Sequence, residues 1–150
     1  MSQGISDLGV LISTMSPELH PGVYVYCVVP QGTDVAALSP VATVAEPEGL
    51  TLVLPEEQAI RAGLEVVFRA AWITLTVHSD LQAVGLTAVF AGALGRAGIG
   101  CNVVAGAYHD HIFVPLELAQ SAMAALEALQ QGGDTLTCAA RCCRLELFSL

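Results

Sequence analysis

"VGLTAVFAGALGRAGIGCNVVAG", residues 84–106, carries one charged residue, Arg96, and six glycines. Leu86, Val89, Phe90 and Leu94 recur at helical spacing, and Gly98 stands where such a helix would stop, so 84–98 reads as a helix. "CNVVAG" (101–106) follows as a β-branched strand. A membrane span is a poor reading of so apolar a run, because a central arginine and Gly98-Ile99-Gly100 would break it. A phosphate-cradling loop fits no better. Such a loop follows a strand and opens a helix, whereas these glycines lie within and after one.

Working outward, "WITLTVH" (72–78) precedes the helix as a strand, and "HIFV" (111–114) follows as another. "PLELAQSAMAALEAL" (115–129) then reads as a helix with proline at its start. The order is β-α-β-β-α, an α/β (α+β) unit. The first half offers "VYVYCVV" (23–29), "VATVAE" (41–46) and "LTLVL" (50–54) as strands, the last two joined by Pro47-Glu48-Gly49 as a hairpin. "EEQAIRAG" (56–63) reads as a short helix and "VVFRA" (66–70) as a separate strand.

At an offset of 60 the two halves match without a gap. Val44 meets Val104 and Ala45 meets Ala105; Leu52, Val53 and Leu54 meet Ile112, Phe113 and Val114; Pro55 meets Pro115 and Glu57 meets Glu117. A repeated strand-turn-strand-Pro-helix unit points to duplication. Upstream the copies differ, since "PQGTDVAALSP" (30–40) is too short for a helix like 84–98. The expected organisation is a trimmed first module at 1–70, a fuller second at 71–130 and an extension at 131–150. The extension would be a closing strand ("RLELFSL") or poorly ordered. The segment 5–15, with Ile5, Leu8, Ile12 and Met15 at helical spacing, is expected to stand in for the helix the first module lacks.

Composition narrows the function. Apolar residues make up 54% of the 150 and aromatics only 5%, so the core is aliphatic. A net charge of −9, with no basic face to neutralise phosphates, argues against nucleic acid. No basic stretch leads into an apolar one at the start, so no signal peptide is read and a cytoplasmic location is expected. The five cysteines form no disulfide framework: Cys27 and Cys101 read as core thiols, and Cys138, Cys142 and Cys143 crowd the tail without a fourth metal ligand.

The run at 84–106 resembles the ACT domain, a small ferredoxin-like module that binds amino acids in metabolic regulators. "MSPEL" (15–19), "EPEGLTLVL" (46–54), "ITLTVHSDLQAVGLTAVFAGAL" (73–94) and "YHDHIFVP" (108–115) together resemble a family of small stand-alone bacterial proteins with two such modules. The resemblance implies antiparallel sheets with helices on one face, pairing of copies as a dimer, no cofactor, and a regulatory rather than enzymatic role. Many ACT domains carry Pro-Gly at the helix entry; Val84-Gly85 departs from that, which loosens the inference about how a ligand is held.

The candidate ligand site is the entry to helix 84–98. His78, Ser79, Asp80, Val84, Gly85 and Leu86 line it: unpaired N–H groups suit a carboxylate, Gly85 lets a ligand approach the backbone, and Asp80 suits an α-amino group. The competing reading is that Ser79 or Asp80 caps the helix and Gly85 packs against a neighbour. Asn102, His109 and Asp110 join the ligand set, because paired ACT modules place ligands between modules. His109-Asp110-His111 falls at the hairpin and strand entrance of the repeat, with both histidines on one face and Asp110 on the other. The two histidines, with His78 as a third ligand, make a metal site only a minor alternative, as no carboxylate or cysteine lies at ligand spacing. No catalytic motif is present, and His78-Ser79-Asp80, being consecutive, cannot converge as a triad. A protein-interaction module without a pocket is the remaining alternative.

Overall fold

In a computed structural model, residues 7–77 and 81–132 are described. The strand Phe68–Leu75 (β5) organises the molecule. Residues 66–70 and 72–78 were expected as two strands; they are one, running through Ala70 and Ala71, both buried. Small residues are required there because the strand is covered on both faces. Along one edge β5 pairs with Tyr24–Val29 (β2) and, further on, with the three-residue strand Pro17–Leu19 (β1). Its other edge takes Asp110–Pro115 (β7).

Ala42–Glu46 (β3) and Gly49–Pro55 (β4) extend the sheet beyond β2, and Asn102–Ala105 (β6) closes the other side. Among the described residues all seven strands form one antiparallel sheet; six run in the order β3-β4-β2-β5-β7-β6, and β1 pairs with β5 off that path. The two expected sheets are therefore continuous. Gly49, at the start of β4, lies close against β2: a Cβ there would stand 2.6 Å from the Val29 carbonyl oxygen.

The repeat holds pair by pair. Ala42 opposes Val53 and Asn102 opposes Phe113; Ala45 opposes Leu50 and Ala105 opposes Asp110. Both hairpins thus share one register at the offset of 60. The preceding strands share a register too, but at an offset of 46: Tyr24 opposes Pro55 as Ala70 opposes Pro115. Fourteen residues are missing from the first copy, enough for the 11-residue helix Leu86–Arg96 (α3) and its turn.

Helices cover one face. Leu8–Thr14 (α1), α3 and Ala119–Gln131 (α4) bury Leu11, Phe90, Leu94 and Leu126 against Ile73, Leu75, Ile112 and Val114. Glu56–Arg61 (α2) places Ala59 over Val25, Cys27 and Leu54 on the same face. Asp7 starts α1, its carboxylate accepting from the Val10 N–H at 3.0 Å, a cap worth about 1 kcal/mol. The expectation that α1 replaces the missing first-module helix is wrong. α1 joins the second module's core, while Val35 and Leu38, flanking and ending a 3₁₀ turn at Ala36–Leu38, cover the first. No helix among the described residues is long and apolar enough to cross a membrane.

Candidate functional site

Beyond Leu75 the chain leaves the sheet and enters α3 at Gly85, whose φ of 105° is left-handed. Gly85 is the N-cap, so neither Ser79 nor Asp80 holds that position. A glycine cap offers no oxygen to the first-turn N–H groups of Leu86, Thr87 and Ala88, which keep the partial positive charge of a helix start. Leu86 is buried, whereas Val84 is 85% exposed. On the Cβ side of Gly85 stands α1: a side chain there would meet Leu8 Cδ2 at 3.1 Å. His78, Ser79 and Asp80 lie outside the described residues.

His109 and Asp110 reach the same end of the sheet. The His109 Nδ1–H donates to the Val77 carbonyl at 3.2 Å, tying the β6–β7 turn to the exit of β5. Asp110 shares a rung with Leu75 and Ala105. Being out of phase with His111, it turns to the helix-bearing face, 8% exposed. Asn102 does not join them. It lies three residues before Ala105 and donates its amide to the Phe113 carbonyl at 3.2 Å.

Burial raises the Asp110 carboxyl above its ordinary range, against the lowering pull of His111 and His109. The folded protein therefore holds this proton more tightly than the unfolded chain, and the contribution of Asp110 to stability is lost as pH rises through the raised value. Asp110→Asn is accordingly expected to melt about 2–4 °C higher than the parent at pH 7, the shift given by ~1 kcal/mol in a chain of this size. Melting curves should show the gap closing as pH falls toward 4. A gap that is constant with pH would mean the charge is not what burial penalises.

The other face of the sheet carries a polar cluster that sequence reasoning missed. The Trp72 indole N–H donates to His111 Nδ1 at 3.2 Å. Since an indole can only donate, Nδ1 carries no proton. Thr74 Oγ1, 3.0 Å away, must then donate to the same nitrogen, and His20 Nε2–H donates to Thr74 at 2.7 Å. The His20 ring stacks on Trp72 at 3.6 Å. Protonation of His111 is opposed by its burial and by His109 and His20, with Asp110 pulling weakly the other way. Trp72 and Thr74, two apart on β5, share a face; only the β5–β7 register reveals that His111 stands beside them.

Among the described residues no three metal-binding side chains converge, and His109 and His111 are committed to Val77 and to the Trp72–Thr74 pair.

Two models of the ACT domain match the chain, one over residues 3–71 and the other over 67–128. They overlap at 67–71, at the start of β5, the strand both halves use. A crystal structure of a Vibrio cholerae protein of unknown function, described as a possible transport protein, is 54% identical over 82% of this chain and 95% of that one, with a TM-score of 0.75. An Agrobacterium tumefaciens protein is 16% identical over 77% and 89%, with a TM-score of 0.62. The ligand-free regulatory subunit of aspartate kinase from Thermus thermophilus is 12% identical over 79% and 97%, at 0.60, a likeness of fold. No curated protein matches the chain.

Proposed function

The chain belongs to the ACT domain family, and on that premise we propose that it is a non-enzymatic regulatory protein binding a small zwitterion, an amino acid. The observation carrying this reading is the start of α3 on a left-handed glycine, a cap residue with no side chain of its own to bond the first-turn N–H groups. A ligand carboxylate fits the N–H groups of Leu86, Thr87 and Ala88, as anions do at helix starts. Asp80 is the acid assigned to the α-amino group, with Val84 at the rim. Asp110, on the helix-bearing face at the same end of the sheet, supplies negative charge nearby, and His109 holds the adjoining turn. Occupancy would pass to a partner through a cytoplasmic homodimer.

A thermal-shift screen of the twenty amino acids tests this. Ligand at a hundredfold excess over Kd stabilises by about 2.7 kcal/mol, a rise of roughly 5–10 °C for a chain of this length. One amino acid, or a few of like chemistry, should give it. Asp80→Ala should abolish the response while far-UV circular dichroism shows the ligand-free variant still folded. A uniform absence of response would reject the reading.

The second reading, an interaction module without a ligand, has its own observation in Leu8, which occupies the space beside Gly85. Under it the glycine serves helix packing alone. Tight self-association unchanged by any amino acid, measured by light scattering, would favour it.

A further inference from the structure

On the face opposite the helices, a cleft of about 340 Å³ lies between the start of β3 and β6. Its floor is Trp72, Phe113 and His111, and its walls are Pro40, Val41 and Ala42 on one side and Val104 on the other. The volume lies within the range of small-molecule sites. No formally charged side chain lines it. The first wall is set by Ser39, the one non-glycine with positive φ (48°) among the described residues, which ends the 3₁₀ turn and aims the chain across the sheet. A left-handed non-glycine at the rim of a cleft is a cost the fold bears at a candidate functional position.

The polar chain beneath the cleft fixes what it can offer. Trp72 and Thr74 both donate to His111 Nδ1, so the ring keeps its proton on Nε2. That nitrogen stands 3.2 Å from where a Cβ on residue 106 would lie, and residue 106 is glycine. A Cβ there would also stand 2.9 Å from the His109 carbonyl oxygen, so backbone and ring together require glycine at 106. The cleft therefore presents the half-buried Trp72 ring, with Phe113 sealed beneath at 0% exposure, aliphatic walls and a neutral imidazole.

We propose that this cleft is a second binding site, separate from the helix entry, for a small uncharged aromatic or heteroaromatic molecule with one hydrogen-bond acceptor, the Trp72 ring taking its flat body and the His111 Nε2–H its acceptor. A charged ligand finds no partner here. Burying an unpaired charge against Trp72 would cost more than the ring returns.

Trp72 is the chain's one tryptophan, so its emission, excited at 295 nm, reports on the cleft floor alone. Benzamide, benzoate and benzylamine have nearly the same size and differ in charge, and serve as probes. Benzamide is expected to change the emission saturably, and the two ions to bind at least tenfold more weakly. Val104→Phe, filling the cleft from β6, should abolish the benzamide response, and Ala42→Leu from the opposite wall should weaken it at least fivefold. Far-UV circular dichroism confirms the fold of each variant, and whichever stays folded decides the test. Neither variant should alter the amino-acid response of the helix entry, so failure of one site leaves the other standing. A linear, non-saturating change with benzamide, a response that survives in the folded filled-cleft variants, or tighter binding of either ion would overturn the proposal.

Discussion

Leu11→Ala is expected to lower the unfolding free energy by about 3 kcal/mol, within the range for a fully buried leucine, and to do so for the whole chain in one transition. Leu11 lies early in the first half of the sequence, yet it is 0% exposed within the core shared by Phe90, Leu94 and Leu126 of the second half. Were α1 a roof for the first module, its loss would loosen only that module. Because β5 pairs with β2 on one edge and β7 on the other, the sheet gives no line along which half could unfold alone. Urea unfolding followed by far-UV circular dichroism and by Trp72 emission should therefore give coincident curves. Ile60→Ala, at an exposed position on α2, should cost no more than about 0.5 kcal/mol. Two separated transitions, or a loss under about 1 kcal/mol at Leu11, would show that the halves are independent.

The repeat was legible because hairpins and proline-led helices leave local signatures. The offset of 60 is also the offset of the two hairpin registers, since residues that repeat do so by facing equivalent neighbours. Where the reading failed, the deciding forces were not local. The break read between "VVFRA" and "WITLTVH" falls at Ala71, inside β5. Arg69 lies in phase with Val25 and reaches across to Glu56 as a paired hydrogen bond, its Nε 2.6 Å from Oε1, while Ala70 and Ala71 are small because both faces are packed. β1, three residues opening on a proline, is too short to show alternation. The placement of α1 depended on which exposed apolar surface it could cover. An amphipathic pattern gives a helix a face but not an address.

At the candidate site the same division holds. Strand parity alone separated Asp110 from His109 and His111, and the glycine at 85 was recognised as the helix entry. Nothing in the order of residues tells that Leu8 lies beside Gly85, or that His20, Thr74 and His111 form one chain of hydrogen bonds. His20 is separated from Thr74 by 54 positions, and only the approach of β1 to β5 brings the two together.

Phe113→Ala tests whether the open face is a packed second core or a loose surface. Phe113 is 0% exposed although no helix among the described residues covers that side. Its cover is Trp72, Tyr26 at a ring separation of 5.8 Å, and Val41, Ala42 and Val104 beside the cleft. Removing a buried phenyl ring costs about 3–5 kcal/mol when the hole stays sealed. Here the hole opens onto the cleft, where water can enter beside polar neighbours, so the cavity penalty is partly relieved and about 3 kcal/mol is expected. The same water reaches the Trp72 ring, and its emission should move to longer wavelength. Phe113→Leu keeps most of the volume and the dry floor, and should cost no more than about 1.5 kcal/mol with little change in emission. If Phe113→Ala instead costs under about 1 kcal/mol and leaves the emission where it was, the aromatic floor is already wet, and a hydrogen bond from His111 to a ligand there would have to compete with solvent at every step.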